Sequence, residues 1–152
     1  MLVLYREMKD SKYQIFVSYS GHDSFEAELL QFAIEKSLGN DIVSAWAFQR
    51  DQKRSEKEIA KSLKTKVKES IATIFLVSPT TLESCATQWM ELAYSDAFDV
   101  ETYVLLHHIS YTELKSKESG VPPLLLSSQC NDATDWKNVI SEIGRLIKEE
   151  RS

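Results

Sequence analysis

A chain of 152 residues, 43% hydrophobic and 27% charged, has the length and balance of one globular domain with a full core, which excludes small disulfide scaffolds and disordered chains. No apolar run approaches the ~18 residues of a membrane span, and the start MLVLYREMKDSK lacks the long apolar core and cleavage site of a secretory signal. One domain over 1–152, with 1–12 a short N-terminal extension, is expected in the cytoplasm without a membrane partner; the net charge of −5 disfavours nucleic acid as a partner as well.

From Tyr13 the run YQIFVSYS is β-branched and aromatic and stops at Gly21, His22 and Asp23, which predicts a buried strand. Asp23 then caps a helix on which Phe25, Leu29, Phe32, Ala33 and Leu38 recur at helical spacing, with Gly39 and Asn40 as its stop. IVSAWAF reads as a short second strand. The charged loop QRDQKRS leads to a helix from about Ser55 with Ile59, Leu63 and Val67 on one face; its basic residues are interleaved with acids and read as a solvated face. IATIFLVS is a continuous apolar run too short for a core helix, so a central parallel strand is expected.

Pro79 can open the next helix, which carries SCATQWMELAYSDAF to about Phe98. TYVLLHHIS is a fourth strand and PPLLLSS a short fifth, its prolines leaving only an edge free. DWKNVISEIGRLIKEE places Trp136, Val139, Ile140, Ile143 and Ile147 on one stripe and closes the chain as a helix. This alternation predicts an α/β fold, a parallel sheet with helices on both faces. Cys85 and Cys130 lie far apart with no histidine cluster near them, so both read as buried filler rather than as metal ligands or nucleophiles.

In doubly wound sheets ligands bind beyond the carboxyl ends of the strands. That places any site among SYSGHD, FQRDQKRS and SPTTLES. None of them holds a GxGxxG or GxxxxGK[ST] pattern, so dinucleotide-binding and nucleotide triphosphatase readings lose their main support.

Three stretches resemble TIR (Toll/interleukin-1 receptor) domains: IFVSYSGHD the first box, AWAFQRDQKRSEKEI the BB loop, and SP followed by a Trp-bearing helix the αC region. The resemblance implies a flavodoxin-like sheet of about five strands. It also implies one of two functions. Some members cleave nicotinamide from NAD or cyclise the remaining ADP-ribose, and a freestanding chain of this kind is similar to the TIR proteins of Thoeris-like antiphage systems, whose product activates a separate effector protein. Others are adaptors that act only by TIR–TIR self-association. NAD enters as substrate, and no cofactor or metal is implied.

In catalytic members Trp-x-x-x-Glu supplies the essential acid. Four residues after Trp89 this chain has Ala93, and Glu91 is two residues from Trp89. On a wheel of ~100° per residue Leu82, Ala86, Trp89, Met90, Ala93 and Ala97 share an arc, and Glu91 lies about 150° from its centre with Ser84, Gln88 and Ser95. Ala93 is therefore expected at the catalytic position, facing the crevice, as an inactivating substitution, and Glu91 as a solvated residue, with a catalytic Glu91 as the alternative. By the same resemblance Phe48 and Trp89 would form aromatic walls, with plain core the alternative for both, Tyr19, Ser20 and Gly21 would line the loop beneath, Arg50 would contact substrate, and Ser84 would either contact substrate or only sit near the helix start.

His107 and His108 have no metal partner in the sequence and read as structural. The BB loop departs from the family pattern at Arg50 and Lys57, where an acid and a glycine are usual; the segment Arg50 to Glu56 is nonetheless the expected self-association surface. A response-regulator-like phosphoacceptor is excluded because Ser20 and Ser78 stand where aspartates would be required.

Overall fold

The structure is a computed structural model that describes residues 12–47, 56–84, 86–117 and 121–152, the side chains of 56–61, 84 and 86 excepted. Strand β1 (Tyr13–Ser18) leads through a 3₁₀ turn (Gly21–Asp23) into helix α1 (Ser24–Leu38) and strand β2 (Val43–Ala47). Helix α2 (Glu56–Lys68), strand β3 (Ser70–Val77) and helices α3 (Pro79–Ser84) and α4 (Ala86–Ala97) follow. The remainder is β4 (Glu101–Leu106), α5 (Tyr111–Ser116), α6 (Pro123–Ser127), β5 (Gln129–Asp132) and α7 (Trp136–Arg151).

The five strands are all parallel, in the order β2-β1-β3-β4-β5. That is the flavodoxin-like order, which reverses direction between β1 and β3. Central strands must be apolar on both sides, and β3 meets this with two sets of side chains. Ile74 and Leu76 join Ile15, Val17 and Leu105 beneath α1 and α7. Phe75 and Val77 join Val104, Leu106 and Leu92 beneath α4, α5 and α6, while Phe16 packs with Leu63 and Val67 of α2. The edge strand β2 would expose unpaired backbone, but α1 covers it: Gln31 Nε2 donates to Ala45 O at 3.1 Å, and Ala45 N donates to Glu35 Oε1 at 3.0 Å.

Local expectations fail at three places, each for a physical reason. PPLLLSS is helix α6 and not a strand, because Pro122 and Pro123 sit at N-cap and N1, where proline's fixed φ starts a helix; β5 is the next segment, QCND. Phe25, Leu29 and Phe32 are 69%, 54% and 64% exposed, and the core face of α1 is the opposite one, Ala27, Leu30 and Ile34. The helix carries two apolar stripes, and periodicity alone does not rank them. Asp23 makes no side-chain cap bond, since its carboxylate is held elsewhere. The helix expected from Pro79 to about Phe98 is met by α3 and α4, which flank Cys85, a residue outside the described ones, and α4 ends at Ala97.

Candidate functional site

The reversal of strand order puts the carboxyl ends of β1 and β3 side by side. Here Ser78 Oγ donates to Asp23 Oδ2 at 2.5 Å, and Thr80 Oγ1 lies 2.8 Å from Ser78 Oγ and donates to Ser20 Oγ at 3.0 Å. Ser20, Asp23 and Ser78 are all buried. The network ties the β1 loop to the β3 loop and gives the Asp23 carboxyl its partners internally, as a buried polar group requires.

Helix α4 crosses above this junction with a polar seam turned toward the sheet. Gln88, Glu91 and Ser95 recur at three- and four-residue spacing, and each is 0% exposed. Gln88 Nε2 donates to Leu76 O at 3.1 Å. Ser95 Oγ donates to Thr73 Oγ1 at 3.1 Å and lies 2.7 Å from Thr102 Oγ1. Between them Glu91 Oε2 accepts a hydrogen bond from Ser18 Oγ, the last residue of β1.

This overturns the expected solvation of Glu91, which is buried over the end of β1, while Ala93, expected to face the crevice, is exposed. The wheel grouped Ala93 and Ala97 with Trp89 and Met90 on one arc, but alanine has little surface to gain by burial. The weighty apolar residues flank the seam instead: Trp89 and Leu92 pack toward Phe75 and Leu106, and Met90, Tyr94 and Phe98 toward Phe16 and Leu63. Buried polar groups are expensive only without partners. Glu91 and Ser95 have partners on the sheet, as does the Gln88 amide nitrogen, although Gln88 Oε1 is buried with none.

Of the other expected site residues, Ser20 lies at the junction, Tyr19 is buried in the layer beneath α1 and α7, and Gly21 is exposed. Trp89 packs away from the Glu91 seam, in the layer beneath α5 and α6. Phe48, Arg50 and the rest of the segment to Ser55 lie outside the described residues, as do Cys85 and the Ser84 side chain. Cys130 is half-buried, its Sγ donates to Leu125 O at 3.6 Å, and burial pushes its thiol up from the ordinary value, which opposes a nucleophilic role. His107 Nε2 lies 4.0 Å from Glu26 Oε1, with the His108 ring 3.9 Å from its own. Among the described residues no group of three His, Cys, Asp or Glu side chains could hold a metal ion, and no helix is long and apolar enough to cross a membrane.

The Glu91 carboxylate beside the end of β1 is 0% exposed, so it would act on a ligand only where the residues over it move apart, and its field would then be little screened. The sequence signal that would have found it is the Gln88, Glu91, Ser95 spacing itself, a polar stripe as regular as an apolar one.

The sequence profile of the TIR domain family matches residues 12–150. No curated protein matches the chain.

Proposed function

The chain belongs to the TIR domain family, and from that premise we propose that it is an NAD-cleaving enzyme of the family in which Glu91, and not Ala93, is the catalytic carboxylate. One observation carries this reading: Glu91 is fully buried where the strand order reverses, bonded to Ser18. Burying a carboxylate costs several kcal/mol before partners compensate, and a catalytic role is one that justifies that cost. Breaking the nicotinamide–ribose bond leaves an oxocarbenium-like carbon, which a nearby carboxylate stabilises while holding ribose hydroxyls. Ser18 would orient that carboxylate. Water then completes hydrolysis to ADP-ribose, or an internal nucleophile closes a cyclic product. Either product could act as a diffusible signal to a separate effector in a Thoeris-like antiphage role, and supplying purified product to candidate effectors tests that part.

The test of the enzyme reading is nicotinamide release by the concentrated protein. Turnover that falls about 10²–10⁴-fold in Glu91→Gln and persists in Ala93→Glu supports it. An inert parent chain that gains turnover in Ala93→Glu would return the site to position 93.

An adaptor acting by self-association is the second reading, favoured by the exposed stripe Phe25, Leu29 and Phe32, a surface fit for docking. TIR domains generally self-associate, and the charged loop remains the proposed contact. Reversing Lys53 and Arg54 together should then lower the mass seen in light scattering; no change would remove the loop from the interface.

A further inference from the structure

On the opposite side of the sheet from Glu91, α1 and α7 leave a cavity of about 330 Å³. Leu76 and Leu105 line it from the sheet and Trp136 from α7, so most of its wall is apolar. Two polar side chains interrupt that wall, Glu26 and His107. The imidazole Nε2 is 4.0 Å from Glu26 Oε1, beyond hydrogen-bonding distance, and Glu26 Oε2 is buried with no hydrogen-bond partner. Asp132, outside the cavity wall and exposed, is held below the ordinary carboxylate value by hydrogen bonds from Thr134 N at 2.9 Å and Thr134 Oγ1 at 2.8 Å. No lysine or arginine is among the described residues that line the cavity.

We propose that this cavity binds a small organic cation with an apolar body, of the arylalkyl- or alkylammonium class. The volume is in the range of ordinary small-molecule sites, which are apolar with a few placed polar groups. An anion would meet the Glu26 carboxylate in the wall, and a neutral hydrocarbon would leave Glu26 Oε2 desolvated and unpaired. An ammonium head supplies the missing N–H donors to Glu26 Oε2 in a charge-assisted bond, and Leu76, Leu105 and the edge of Trp136, whose ring already carries Lys137 Nζ 5.6 Å from its centroid, take the body. The sheet separates this site from the Ser18–Glu91 pair: Leu76 points into the layer beneath α1 and α7, whereas Phe75 and Val77 point toward α4. The proposal therefore stands whether or not the chain cleaves NAD.

The experiment is an NMR titration of the full chain with 2-phenylethylammonium, and with 2-phenylethanol as the uncharged counterpart, following the Trp136 indole and the Leu76 and Leu105 methyl resonances. A ligand of this size should saturate with an affinity on the order of 0.1–1 mM. Glu26→Gln should weaken it about 10–100-fold, and Ala33→Phe, which fills the cavity from α1, should abolish it with the fold intact by circular dichroism. Should Ala33→Phe unfold the chain, Glu26→Gln decides alone. Absence of saturation, equal affinity for the alcohol, or indifference to Glu26→Gln overturns the proposal.

Discussion

Ser95 and Ala93 are two residues apart on α4 and have opposite environments. Ser95 is fully buried with Thr73 and Thr102 as partners, and Ala93 faces solvent. Ser95→Ala would leave the threonine hydroxyls short of a partner and should cost about 1–3 kcal/mol. Ala93→Glu should stay within about 0.5 kcal/mol, as surface changes do. Urea midpoints at constant slope measure both. A large loss in Ala93→Glu would contradict the facing of α4, and with it the placement of Glu91. Ser18→Ala belongs to the same test, since it leaves the buried Glu91 carboxylate one donor poorer, and it should destabilise by about 1–3 kcal/mol.

At the scale of elements, α6 and α1 show how local pattern and packing part company. Leu125 of α6 is 0% exposed, so Leu125→Ala should cost about 2–5 kcal/mol through lost burial and a cavity. Phe25→Ser and Phe32→Ser, although they remove larger rings, should each change stability by less than about 0.5 kcal/mol because those rings are already in water. Thermal melts of the three variants would separate the core face of α1 from its outer face. The entry into α7 carries a pH dependence. Asp132 caps the 3₁₀ turn before it, and the Thr134 bonds, first the backbone and then the hydroxyl, hold its carboxyl below the ordinary 3.8. A folded value below the unfolded one means the stabilisation is present above about pH 4 and fades as pH falls through the folded value. Asp132→Asn should remove that component, so the gap in urea midpoint between parent and variant should close in acid.

For the molecule as a whole, the layers on the two faces share β1, β3 and β4 and cannot be pulled apart without breaking the sheet between them. Trp136 reports on the layer beneath α1 and α7, and Trp46, whose ring lies 5.2 Å from that of Phe16, on the layer beneath α2. Variants retaining only one of these tryptophans should give coincident urea transitions, the signature of a two-state domain. Separate midpoints would show that one layer unfolds alone. The same sheet keeps the Glu91 junction and the Glu26 cavity on different faces, so ligands at the two can be assayed independently.

Four of the five strands, the α/β class and the family resemblance were legible in the sequence because they rest on runs and order: YQIFVSYS and IATIFLVS are mostly apolar whatever packs on them, alternation with helices forces parallel pairing, and only the short polar strand β5, QCND, has no such run. What a linear pattern could not decide was which of two faces turns inward. On α1 the stripe of Phe25, Leu29 and Phe32 loses to Ala27, Leu30 and Ile34, because Gln31 and Glu35 bind the edge of β2 and hold the helix in that rotation. On α4 the polar stripe wins the inner face, because Ser18, Leu76 O and Thr73 stand on the sheet to receive Glu91, Gln88 and Ser95. Those partners are 22 or 73 residues away for Ser95 and Glu91, and only the folded sheet brings them within reach. A polar side chain's place inside or outside depends on whether a partner waits there, which is a property of the tertiary structure and not of the helix that carries it.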